Sequence, residues 1–256
     1  MIPETSAPGL TLTGAGFVGE GRLFSALTLD LPPGRWTSLL GASGVGKSTL
    51  LRVMAGLETG VRFDGRVTAS DGLPIAGRVA LMAQSDLLAP WLDILGNVTL
   101  GATLRGERSD RDRAFALLEQ TGLADHARKR PHTLSGGQRQ RAALARTLME
   151  DRPIILLDEP FSALDARMRA EMQELAGSLL AGRTVLLVTH EPAEAARLSH
   201  AAWLMSATGL EALALPDTAP VRDLEDPDFL QAQAALFARL RARDPVGYDP
   251  GGDDAR

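Results

Sequence analysis

Cysteine is absent from the sequence, so disulfides, thiolate metal ligands and a thiol nucleophile are excluded, and the chain suits a reducing compartment. Apolar runs are short: none approaches the ~18 residues that a membrane-spanning helix requires. The opening stretch MIPETSAPGL lacks the basic-then-apolar order of a secretory signal. These absences lead us to expect a cytoplasmic protein. Basic excess is also missing. A net charge of -5 at pH 7 argues against a nucleic-acid surface, which needs clustered cations, and Arg128-Lys129-Arg130 reads as a solvated helix face. Aromatic residues make up only 4%, with a single tyrosine, Tyr248, near the carboxyl end. Yet 45% of the 256 residues are hydrophobic, enough for a sizeable core in one large domain or two small ones.

Strand-like and helix-like segments alternate, the grammar of an α/β protein. Leu27, Leu29 and Leu31 share one face of a strand, the turn Pro32-Pro33-Gly34 follows, and Trp36–Leu40 reads as the next strand. After a glycine-rich loop, Lys47 to Leu57 reads as a helix with Leu50, Val53, Met54 and Leu57 on one side. Further strands are expected at Val79–Met82, Ile154–Leu157 and Thr184–Val188. Between about 89 and 150 helix signals dominate, suggesting an inserted helical subdomain. There Ser109 with Asp112 has capping-box spacing before Phe115, Leu117 and Leu118, and Gly122 supplies a stop. A second helix is expected from about Gly137 to Glu150. The division expected is a cassette over 1–215 and an extension over 216–256, with one amphipathic helix near Phe229 to Leu240 and a frayed DPGGDDAR end.

The stretch Gly41-Ala42-Ser43-Gly44-Val45-Gly46-Lys47-Ser48-Thr49 follows a strand and opens a helix, which is the setting of a phosphate-binding loop. Glycines let backbone amides turn inward on phosphate oxygens, and the helix start adds partial positive charge. Lys47 reaches the β and γ phosphates, and the Ser48 hydroxyl is a Mg²⁺ ligand. The strand IILLDEP ends in consecutive carboxylates whose side chains leave on opposite faces. Asp158 is the expected metal residue and Glu159 the general base. A second anion site is legible in Leu134-Ser135-Gly136-Gly137-Gln138, a tight turn that opens a helix and offers a hydroxyl and bare amides.

The ordered set of phosphate loop, Gln84 after a strand, LSGGQ, LLDEP, SALD at Ser162 to Asp165, and His190 at a strand end resembles the nucleotide-binding subunit of an ABC transporter across about residues 10–205. The resemblance implies a P-loop NTPase fold with a RecA-like α/β core and an inserted helical subdomain. It also implies ATP and Mg²⁺ as ligands, and Gln84 contacting Mg²⁺ and the attacking water. By the same likeness His190 contacts the γ-phosphate, and Asp165 connects two active sites. Finally, it explains the second anion site. In such a family two cassettes meet head to tail, and Ser135 and Gly137, with Gln138 beside them, serve the nucleotide held by the other chain. The sequence departs from the family at the adenine-stacking aromatic, usually a tyrosine near the amino terminus; Phe17 is the first candidate here and Phe24 the second.

A lone cassette without spans is similar to importer subunits, whose permease is a separate chain. The implied partners are a second copy, an integral membrane permease and, indirectly, a solute-binding protein, with no nucleic acid. The implied location is the cytoplasmic face of the inner membrane, peripheral through the permease. Leu87, Leu88, Trp91, Leu92 and Ile94 are the apolar candidates for the permease groove, with interior packing as the alternative. The short carboxyl end resembles the nitrate, sulfonate and thiamine-precursor importer cassettes, and a thiamine pyrimidine precursor or thiamine is the expected cargo. An exporter cassette, a soluble ABC ATPase of DNA repair or translation, and a phosphate-loop kinase are the competing readings.

Overall fold

A computed structural model describes residues 7–243; the DPGGDDAR end and Tyr248 lie outside them. In chain order the elements are β1 (Leu10–Val18), β2 (Gly21–Leu31), β3 (Trp36–Leu40), α1 (Lys47–Met54), β4 (Arg62–Ala69), β5 (Val79–Met82), α2 (Ile94–Val98), α3 (Leu100–Leu104), α4 (Arg111–Gln120), α5 (Gly136–Met149), β6 (Ile154–Asp158), α6 (Ala166–Leu179), β7 (Thr184–Val188), α7 (Pro192–Leu198), β8 (Ala201–Ser206), β9 (Gly209–Leu213) and α8 (Pro227–Arg243). Six strands form the main sheet in the order β5-β6-β7-β3-β8-β9, parallel except for β9. A separate antiparallel sheet has the order β2-β1-β4. This is the α/β P-loop architecture expected.

Strands β3, β6 and β7 are buried at every position, which is why β6 and β7 read as near-continuous apolar runs rather than alternating ones, while β3 also buries Thr37 and Ser38. One face of the main sheet packs on α1 and on the inward leucines of β1 and β2, including Leu12, Leu29 and Leu50. The other face packs on α5 and α6 through Leu144, Leu148, Met172 and Ala176. Each fully buried leucine of this kind contributes about 1.5–3 kcal/mol. Helices α2, α4 and α5 share their own apolar cluster around Ile94, Val98, Leu118 and Ala142. Helix α8 closes a fourth cluster, setting Phe229 and Leu236 against Ala195, Ala196 and Leu204.

Several local expectations need correction. Helix α1 stops at Met54, because Gly56 turns left-handed at φ +71°; Leu57 therefore falls outside it and is 51% exposed. The cap of α4 is Asp110, whose carboxylate accepts the Arg113 amide at 2.9 Å. A one-residue shift from Ser109 is enough to void the capping box read from Asp112. Phe115 points to solvent at 42% exposure, and Leu118 takes the buried place. The five apolar residues proposed for one groove split: Leu88 and Ile94 are core, whereas Leu87 and Trp91 are 63% and 72% exposed. Helix α8 begins two residues earlier than the apolar pattern suggested.

Candidate nucleotide-binding and hydrolysis site

Parallel pairing aligns Leu39 of β3 and Asp158 of β6 with Val188 of β7. Gly41, Glu159 and His190 consequently emerge side by side at the carboxyl ends of three neighbouring strands, where open α/β sheets hold their ligands. Gly46 sits at φ +101° directly before α1, and an added Cβ would lie 3.1 Å from Phe24 and 3.2 Å from Leu23. At Gly41, φ +152°, a Cβ would come within 2.5 Å of the Met205 carbonyl. Both positions require glycine, for conformation and for space.

Lys47 is buried and donates to the carbonyls of Gly41 and Ala42 at 2.7 and 2.8 Å. Burial pushes its pKa down, and the carboxylates of Glu159 and Asp158 push it back up. The Ser48 hydroxyl donates to Asp158 Oδ1 at 3.0 Å. Burial pushes the Asp158 carboxyl up, against the lowering effect of that hydrogen bond. A cation beside these two oxygens would reverse that pressure. One carboxylate and one hydroxyl form the partial oxygen set that Mg²⁺ accepts when phosphates and water supply the rest. Among the described residues no cluster of three or more His, Cys, Asp or Glu forms an all-protein metal cage.

Glu159 occupies the left-handed region at φ +47°, a strained conformation for a residue with a side chain. Its amide donates to the Val188 carbonyl at 2.9 Å, and its carbonyl accepts the Ser162 hydroxyl at 3.0 Å. Held this way, Glu159 Oε2 accepts from Gln84 Nε2 at 3.0 Å and lies 3.2 Å from His190 Nδ1. Two polar side chains from two other segments thus converge on one carboxylate oxygen of Glu159.

A groove of about 1750 Å³ joins the whole phosphate loop, Gly41 to Thr49, to Gln84, Glu159 and His190. Ser135, Gly137 and Gln138 do not line it. Ser135 instead caps α5: its hydroxyl accepts the Gln138 amide at 3.3 Å, and Gln138 Oε1 accepts the Ser135 amide at 3.0 Å, a complete capping box. Asp165 caps α6 by accepting the Met168 amide at 2.9 Å. Phe17 also lies away from the groove lining, with the Arg62 guanidinium 4.6 Å over its ring, and Phe24 is wholly buried. Unforeseen from sequence, α8 lines the groove with Leu230, Gln233, Phe237 and Arg241. Leu230 and Phe237 stand seven residues apart on its exposed side, a second apolar stripe that the core-facing pattern obscured.

Asp86, two residues after Gln84, is gripped twice by α5. Arg139 Nε donates to its carboxylate at 3.0 Å, and Arg146 donates to the carbonyls of Asp86 and Leu87 at 2.6 and 2.7 Å. Leu87 is held at φ +46° between these contacts.

Comparison with known proteins agrees with this geometry. A family model described as ABC transporter matches residues 24–162. An uncharacterized ABC transporter ATP-binding protein of Haemophilus influenzae is 46% identical over 225 residues, 85% of this chain and 92% of the relative. The aliphatic sulfonates import ATP-binding protein SsuB 1 of Rhodococcus jostii is 44% identical over 82% of this chain and 84% of its own. A dimeric ATP-binding cassette solved in a post-hydrolysis state with ADP and Pi superposes with a TM-score of 0.68 at 28% identity, over 84% of this chain and all of the other. A phosphate loop, a signature turn and an acidic strand end inside one matched segment leave a single assignment: the chain belongs to the ATP-binding cassettes of ABC transporters and is an ATPase.

Proposed function

We propose that this chain is the ATP-hydrolysing subunit of an importer, working as a head-to-tail pair and driving a separate permease from the cytoplasmic face of the membrane. The observation that carries the reading is the groove, which holds Lys47, Ser48, Gln84, Glu159 and His190 but none of the signature residues. One chain therefore has half of two sites.

In this mechanism the phosphate-loop amides and Lys47 hold the triphosphate, and Glu159 Oε2 takes a proton from the attacking water. Gln84 and His190 orient that water and the γ-phosphate. Asp158 and Ser48 would hold Mg²⁺, which when bound neutralises charge on the β and γ oxygens. Ser135, Gly137 and Gln138 of each copy close the other's site, with the amino-terminal end of α5 facing the phosphate. Phe17, with Arg62 over one face of its ring, is left out of this mechanism because it does not line the groove.

A mixing experiment tests the pairing. Lys47→Ala and Ser135→Arg chains are expected to be inactive separately and to regain hydrolysis on mixing, because the heterodimer contains one site with both halves intact. A mixture as inactive as its components would reject the head-to-tail arrangement.

Exposed Leu87 and Trp91 are the proposed permease contact. Cargo is read by other subunits; the relatives' names favour an aliphatic sulfonate over thiamine or its pyrimidine precursor. Mild-detergent recovery of tagged chain from native membranes is expected to bring a multi-span permease and a solute-binding protein. Recovery with ribosomes or DNA enzymes alone would sink the transport reading.

A further inference from the structure

Helices α6 and α7 begin at the two loops that frame the hydrolytic site: α6 follows Asp165, and α7 follows His190. About two turns into each helix they are clamped. Arg197 Nη1 donates to Gln173 Oε1 at 2.8 Å, and Nη2 to Glu174 Oε1 at 2.9 Å. At the site end the corresponding contact is open. Arg169 Nε and Glu194 Oε1 are both buried without a hydrogen-bond partner and stand 3.9 Å apart, too far for a hydrogen bond.

The flanking contacts are made. Arg169 Nη2 donates to the Leu164 carbonyl at 3.0 Å, so it holds the Asp165 loop. Glu194 Oε2 accepts the Thr189 hydroxyl at 2.6 Å, and Thr189 Oγ1 accepts the Glu191 amide at 3.0 Å, so Glu194 holds the His190 loop. These contacts link Leu164 to the His190 loop, whose Nδ1 lies 3.2 Å from Glu159 Oε2, with one gap between Arg169 and Glu194.

We propose that Arg169 and Glu194 are positioning residues, and that closure of their contact locks the His190 loop to the Asp165 loop for hydrolysis. Buried polar atoms are normally paired, so two orphans facing each other across a short gap, beside a hinge already closed at its far end, mark a joint with a second, closed position. Glu194 is only 2% exposed, and burial pushes its pKa up to about 7, opposed by Thr189 and Arg169 and reinforced by Glu191. An open joint therefore leaves its charge poorly compensated. The inference rests on the hydrolytic reading of Glu159 and His190.

Glu194→Gln keeps the size and the acceptor for Thr189 but removes the charge facing Arg169; Arg169→Met removes the other side. Each is expected to lower kcat about tenfold, with KM, equilibrium ATP binding and melting temperature near wild type, and the double variant is expected to be no slower than either single one. Losses that multiply in the double variant would overturn the proposal. So would kcat within twofold of wild type, or a fall in kcat that tracks lost ATP affinity and lost thermal stability. If removing one charge unfolds the chain, the double variant, which leaves no unpaired charge, supplies the kcat against KM comparison. A Lys47→Ala control that still hydrolyses ATP would sink the site reading instead.

Discussion

Replacing Glu159 with Gln is expected to lower ATP turnover by about 10²–10⁴-fold while leaving ATP binding in place, the usual effect of removing a general base. The glutamine keeps the backbone strain and one oxygen for Gln84 Nε2, which now sits 3.0 Å from the carboxylate. It cannot take a proton. The hydrogen bonds of Lys47 to Gly41 and Ala42 are kept, and only the field of the Glu159 charge on its ammonium is lost. Single-turnover hydrolysis measured beside equilibrium ATP binding separates the two effects. A turnover within threefold of wild type would move the base to another group, and Asp158, hydrogen-bonded to Ser48, would be tested next.

Lys47→Ala is expected to weaken ATP by about 1.5–3 kcal/mol, the scale of a hydrogen bond to a charged group, or roughly 10- to 100-fold. In the free protein the buried ammonium is held by its own loop carbonyls and by the field of Asp158 and Glu159. Without it those two carboxylates face an incoming polyanion alone, so the loss should be larger at low ionic strength. Titration calorimetry with ATP, and with tripolyphosphate to remove the base from consideration, measures it. Equal affinities in variant and wild type would mean that the loop does not grip phosphate.

The fold was legible wherever one physical signal decided the outcome. Strands β3, β5 and β7 came out with the bounds read from the sequence, and in β7 burial on both faces leaves little freedom in composition. Leu57 and Ser109 were misread because a helix end depends on a single left-handed glycine or one cap, and the apolar pattern runs past both. The groove's polar residues could be named from motifs, but their convergence on Glu159 Oε2 depends on the register of β5, β6 and β7, which pairs residues far apart in the sequence. The surroundings of Phe17 were hidden for a similar reason: its neighbour Arg62 is brought alongside only by β1–β4 pairing. Glu194 and Arg169 gave no signal, since a charged residue on a helix usually faces water.

The double grip of α5 on Asp86 has a mechanical consequence. Helix α5 is 14 residues long, a rod of about 20 Å at 1.5 Å per residue, with the signature turn at one end and Arg146 near the other. Its side chains on the core face are packed over most of its length, so bending it would strain the interior. A load applied at Asp86 or Leu87 would be taken up by Arg139 and Arg146 and passed toward Ser135 as rotation of a lever, not as deformation of a loop.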